Sequence, residues 1–151
     1  EVWIIDDASS DDTLVKIRSF NDYRIKVIVY KENTKKIVAV NELIAHHEME
    51  IANPLLDYIN SRDDINLIGK NQISNKDRAP TIAFTMNNKS SKELSSNLVK
   101  HGIATRNDNF YAWRCLKALG IDVDDGVVRT SMVHYNTHED VDNLISALKK
   151  I

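Results

Sequence analysis

The sequence predicts an α/β protein, and three observations carry that reading. Short apolar runs bounded by turn residues alternate with stretches of helical periodicity. From Pro80 onward the order is strand, helix, strand, helix, strand, helix, which describes a small two-layer domain. Apolar residues make up 42% and charged residues 28% of the 151, a balance that supports one ordinary globular core or two very small ones.

The elements follow in order. Val2 to Ile5 is a buried strand ended by Asp6-Asp7, and Ser9-Ser10-Asp11-Asp12 is a turn rich in helix-capping residues. Leu14, Ile17 and Phe20 mark a short amphipathic helix, and Arg24 to Tyr30 is a second strand, so the amino end forms a βαβ-like unit. That pair of strands is marginal alone, and we expect it to pack on the long helix that follows or on a partner. Thr34 to Ser61 is that helix, with Ile37, Val40, Ile44, Ile51, Leu55 and Ile59 as its stripe. Pro54 predicts a kink, or a new helix capped by Asn53.

Ile65 to Ile68 is a short strand, Gly69 to Ala79 a polar loop, and Pro80 to Met86 an alternating strand. Ser90-Ser91-Lys92-Glu93 reads as a capping box opening a helix that ends at Gly102. Ile103 to Arg106 is predicted as a strand, Asn109 to Leu119 as a helix stopped by Gly120, and Val127 to Tyr135 as the last strand. Thr137-His138-Glu139-Asp140 caps a final helix striped by Val141, Leu144, Ile145 and Leu148.

Several function classes are excluded early. Net charge is −2, so no electrostatic footprint for nucleic acid exists. No apolar run approaches the ~20 residues of a membrane span, and no signal peptide is visible. A single cysteine, Cys115, precludes an internal disulfide and suits a reducing cytoplasm. The chain opens at Glu1 inside a strand pattern without Met, which reads as a fragment or a trimmed product. His46, His47, His101, His134 and His138 lack metal-ligand spacing, so no metal is expected. Trp3, Trp113, Phe84 and Phe110 read as core or interface anchors, and residual apolar exposure would favour a homo-oligomer through the long helix.

Two places carry chemistry. Arg129 is the lone charge on an apolar strand. A guanidinium there needs an anion, and its fork fits a carboxylate bidentately. A salt bridge within Asp122-Val123-Asp124-Asp125 is the competing explanation. Arg106 could help hold an anion in the same cleft, or be a solvated loop charge. At the other end, Asp6 and Asp7 close the first strand where an open α/β sheet binds ligands. Carboxylates there can accept hydrogen bonds from a base or ribose, while spacing alone favours a helix cap, with acids at the positive end of the dipole.

From about Glu42 to Ile151 the chain resembles the small carboxyl-terminal domain of class V aminotransferases, the pyridoxal-phosphate family that includes cysteine desulfurases and selenocysteine lyases. The resemblance rests on His46-His47-Glu48 and Pro54-Leu55-Leu56, on Arg78 to Phe84, on Gly102 to Arg106 with Phe110-Tyr111-Ala112, and on Arg129-Thr130-Ser131 with Tyr135-Asn136-Thr137. It implies that Arg129 grips a substrate α-carboxylate. It also implies that the Schiff-base lysine, the pyridine-nitrogen aspartate and the phosphate cup belong to a large domain. None of this chain's lysines has that context, so no cofactor is expected in this chain and no catalysis by it alone. The desulfurase nucleophile would follow Arg106 on a loop. Cys115 lies further on, inside a predicted helix, and reads as a core or semi-exposed thiol.

Glu1 to about Val40 resembles family-2 glycosyltransferases. Their Asp-Asp-Gly-Ser-x-Asp-x-Thr pattern is matched by Asp6-Asp7-Ala8-Ser9-Ser10-Asp11-Asp12-Thr13, followed by Tyr23 to Ile28 and Glu32-Asn33. The resemblance implies that Asp6 or Asp7 contacts a nucleotide base. The family's Asp-x-Asp metal motif, expected after the next helix and strand, does not appear there, and a sugar nucleotide needs a cation on hard oxygen ligands. The expected organisation is a glycosyltransferase-like segment over 1–40, a connecting helix over 41–62 and a class V small domain over 63–151, in effect a fusion.

Overall fold

A computed structural model describes residues 2–33, 36–71 and 78–151, with the side chains of Lys36 and Ile37 left aside. The chain divides into two compact units, Glu1–Ala45 and His46–Ile151.

The first unit holds β1 (Val2–Asp7), α1 (Thr13–Ser19) and β2 (Ile25–Tyr30). β1 and β2 pair in parallel, Val2 opposite Ile25 through Asp7 opposite Tyr30. Parallel neighbours need a crossover, and α1 supplies it. No residue of α1 is buried, which leaves this unit thin. The expected helix cap is only partly met. Asp12 makes no capping bond, whereas the Asp11 carboxylate accepts from the Thr13 N–H at 3.0 Å. The Tyr30 hydroxyl donates to the Glu42 carboxylate on α2 (Lys36–Asn60), which pushes the phenol up to about 12.

α2 runs unbroken through Pro54, so the expected second helix does not form. Proline forfeits only its own N–H bond, and the helix keeps the apolar residues of the next turns against the core. Of the expected stripe, Ile51, Leu55 and Ile59 are buried, while Val40 is exposed and Ala39 buried in its place. Thr34 and Lys35 lie outside the described residues.

The second unit contains β3 (Ile65–Ile68), β4 (Thr81–Met86), α3 (Ser91–Lys100), β5 (Arg106–Asp108), α4 (Trp113–Ala118), β6 (Val127–Ser131) and α5 (His138–Leu148). Its four described strands lie in the order β3-β4-β6-β5, all antiparallel. Register gives the sheet two unlike faces. Ile65, Leu67, Ile82, Phe84, Met86, Val128 and Thr130 share one. Most of them join the core with Ile51, Leu55 and Leu56 of α2, Leu94 and Leu98 of α3, and Val141, Leu144 and Leu148 of α5. Burying Phe84 completely is worth about 1.5–3 kcal/mol. The other face carries Thr81, Ala83, Thr85, Arg129, Ser131 and Arg106 with Ile68, Val127 and Asp108; Val127 is buried, and the main cluster of described core residues lies on the opposite side.

Two expected elements shift. The strand expected at Ile103–Arg106 lies at Arg106–Asp108. Gly102, with φ +78°, ends α3, and the Ile103 N–H returns to the Leu98 carbonyl, so Ile103 belongs to the helix cap. The helix expected from Asn109 begins only at Trp113, because Phe110 and Tyr111 have φ of 51° and 61°. The last strand stops at Ser131. Beyond it the Met132 N–H bonds the Pro80 carbonyl, and Asn136 closes a turn onto Val133.

Caps explain the helix starts. Thr137 and Asp140 form a reciprocal capping box, and the Thr137 N–H holds the Asp140 carboxyl below its usual range. At α3 only half of the expected box exists: Ser90 Oγ accepts from the Glu93 N–H. The rest of the cap comes from Asp125, whose two carboxylate oxygens accept from the Ser91 N–H at 2.9 and 3.0 Å.

Gly126 fixes how β5 meets β6. A Cβ there would stand 2.3 Å from the Asp108 carbonyl carbon and oxygen, and φ is +74°. Gly126→Ala is therefore expected to destabilise the second unit by about 3 kcal/mol or more, read as a lower urea midpoint.

Candidate functional site: an arginine pair on the open face

β6 lies between β4 and β5, so Arg129 stands in the sheet interior and not at its margin. Its neighbour on β4 is Ala83, whose methyl group leaves room above the sheet. Its neighbour on β5 is Arg106, directly opposite in register. Arg129 is half-buried and Arg106 exposed.

The Arg129 guanidinium lies over the Phe110 ring, 4.0 Å from its centroid. A ring below the guanidinium plane restrains the group and leaves its N–H edge available. Phe110 is held there by a built loop. Asp108 Oδ1 accepts from the Asn109 N–H at 2.7 Å, and Asn109 Oδ1 from the Tyr111 N–H at 3.0 Å. Asn109 Nδ2 donates to the Val123 carbonyl at 3.2 Å, and the Ala112 N–H to the Asn109 carbonyl at 2.8 Å. These bonds offset two consecutive left-handed residues, each costing about 1–3 kcal/mol.

No carboxylate among the described residues pairs with Arg129 or Arg106. The salt bridge weighed for Arg129 is absent. Asp125 faces α3, and Asp122 Oδ1 accepts from the Asp124 N–H. Asp108 shares the face of Arg106 two residues along, outside ion-pair distance. The arrangement can bind and orient a small anion.

Other features lie elsewhere. A cleft of ≈530 Å³ opens between the His101–Thr105 loop and α5, lined by Thr105, Asn136, Asp140 and Lys150 among others, and the arginine pair is not part of it. Cys115 is exposed on α4. Tyr111, Trp113, Leu119 and Tyr135 are exposed, so of the four expected aromatic anchors only Phe84 is fully buried. No cluster of three His, Cys, Asp or Glu among the described residues could hold a metal, and no described helix is long and apolar enough to cross a membrane.

At the end of β1, Asp6 is buried, and its Oδ1 has no hydrogen-bond partner. Asp7 is half-buried, and its backbone carbonyl accepts from Asn33 Nδ2. Ala8 follows with φ 63°, a conformation that favours glycine, where the glycosyltransferase pattern has glycine.

Sequence reasoning reached Arg129 and Arg106 but not their direct opposition, nor the roles of Phe110, Asn109 and Gly126. A glycine placed just before a strand was the available signal for Gly126. Phe110 had none, since a non-glycine residue at positive φ leaves no mark in composition.

Residues 28–144 match the family model described as Aminotransferase class-V, and residues 1–51 that of Glycosyl transferase family 2, so the two overlap over 28–51. The aminotransferase-like protein FGM3 of Gibberella zeae is 36% identical over 113 residues, covering 73% of this chain and 28% of that protein. A cysteine desulfurase of Escherichia coli is 29% identical over 108 residues, 72% of this chain and 25% of its own. The chain thus spans about a quarter of the length of these relatives. The apo cysteine desulfurase of Thermococcus onnurineus shares the fold, with a TM-score of 0.62 at 21% identity over 71% of this chain and 25% of that one. The Escherichia coli cysteine desulfurase CsdA aligns at 0.59, with 24% identity over 70% and 24%.

Replacing Phe110 with leucine keeps apolar bulk and removes the ring. The variant is expected to free Arg129 by about 0.5–1 kcal/mol, seen as a lower order parameter at its Nε in 15N relaxation.

Proposed function

The chain belongs to the class V aminotransferase family, and from that premise we propose that Arg129 is the carboxylate-binding arginine of a class V small domain. In this reading residues 63–151 form the domain, 41–62 the connecting helix and 1–40 the glycosyltransferase-like segment. One observation carries it: an arginine in the sheet interior, seated on Phe110, whose guanidinium pairs with no carboxylate among the described residues. Arg106 adds positive charge from the next strand.

Pyridoxal phosphate supplies an electron sink when bound in the full-length family. It requires an amine to hold it, a carboxylate at its ring nitrogen and a phosphate cup. Around Arg129 the same face presents Thr81, Ala83, Thr85, Ser131, Arg106 and one carboxylate, Asp108, and no lysine is among the described strand residues of that face. The residues present do not fit the cofactor. The role of this chain is to bind and orient an acid, and the chemistry belongs to a cofactor-bearing domain that these residues do not form.

The test is a titration of the 15N-labelled chain with valerate at constant ionic strength. The Arg129 side-chain resonance should shift, and Arg129→Ala should abolish the saturable binding. An unmoved Arg129 resonance, or undiminished binding by the variant, refutes the reading.

A second reading has its own observation. The Oδ1 of buried Asp6 has no hydrogen-bond partner among the described residues, as a base-contacting carboxylate would not. Uridine diphosphate with manganese is then expected to raise the melting temperature of the parent and not of Asp6→Asn. An equal rise in both, or none in the parent, removes it.

A further inference from the structure

Arg106 and Arg129 face each other across antiparallel strands on one face. Directly opposed residues hold their Cβ atoms about 4.5–5.5 Å apart, and like charges so placed repel. Nothing described neutralises the pair: Asp108, the nearest acid along β5, accepts from the Asn109 N–H and lies outside ion-pair distance. A charge that merely guards an edge strand needs no like charge opposite it. The opposition is not left to side-chain choice either, because the contact of Gly126 with the Asp108 carbonyl fixes the register that creates it.

We propose that the two arginines form one site for a small dianion, with a short dicarboxylic acid as the ligand class. Arg129 takes one carboxylate and Arg106 the other. This rests on the reading of Arg129 above and extends it, since a single carboxylate would leave Arg106 with no counterpart. Two planar forks side by side match two separated carboxylates, each bound by paired N–H bonds. One doubly charged centre cannot face both forks squarely.

The experiment titrates glutarate, valerate and inorganic phosphate into the 15N-labelled chain at constant ionic strength, read at the Arg106 and Arg129 side-chain resonances. Glutarate should bind about tenfold more tightly than valerate and shift both. Arg106→Gln should erase the preference, so that glutarate and valerate bind the variant equally, and an unchanged backbone amide spectrum certifies that the variant is folded. Equal affinity for the two acids in the parent, with valerate still dependent on Arg129, overturns the pair and spares the single-arginine reading. Phosphate binding as tightly as glutarate overturns it as well, by showing attraction to charge without geometry. Valerate binding that survives Arg129→Ala removes both readings together.

Discussion

Gly126 has no side chain because the peptide between Asp108 and Asn109 fills the space that one would need. That close approach locks β5 against β6 in a single register. A slip of one residue would turn Arg106 to the core face and bring Asn107 out. The same contact positions the start of the Asn109–Ala112 loop, and through it the Phe110 ring beneath Arg129. The arrangement on the open face therefore descends from one backbone-to-backbone contact.

The sheet separates its duties by alternation. Val128 and Thr130 look into the helices, where Thr130 satisfies its buried hydroxyl on the Ile82 carbonyl, while Arg129 between them looks away. An interior strand can carry an arginine only if the face it points from stays accessible, and Ala83 keeps the adjacent strand low. The helices α2, α3 and α5 all serve the opposite face, so the core and the arginine pair occupy different surfaces of the same strands.

The parts readable in the sequence are those with local chemical signatures. Thr137 and Asp140 announced α5, and alternation announced β4. Arg129 stood out as one charge in an apolar strand. The misplacements share a cause, which is backbone conformation that residue type does not encode. Ile103 reads as a strand residue until the Gly102 turn folds it back on Leu98. Phe110 and Tyr111 read as helix until a network around Asn109 holds them at positive φ. Pro54 reads as a kink or the start of a new helix, and the new helix does not form: Leu55, Leu56 and Ile59 are buried just beyond it, and that burial outweighs one lost hydrogen bond. The Arg106–Arg129 opposition depends on strand order β4-β6-β5, which no single segment specifies.

The first turn of α3 borrows its carboxylate from Asp125, 34 residues further along the chain. A ribosome emitting this polypeptide releases the helix well before its cap. Until that acid emerges, the start of α3 has only Ser90 to hold it, and its leading amide remains exposed to solvent exchange. The turn before β6 thus acts as a latch that closes late, tying completion of an early helix to arrival of the strand bearing Arg129.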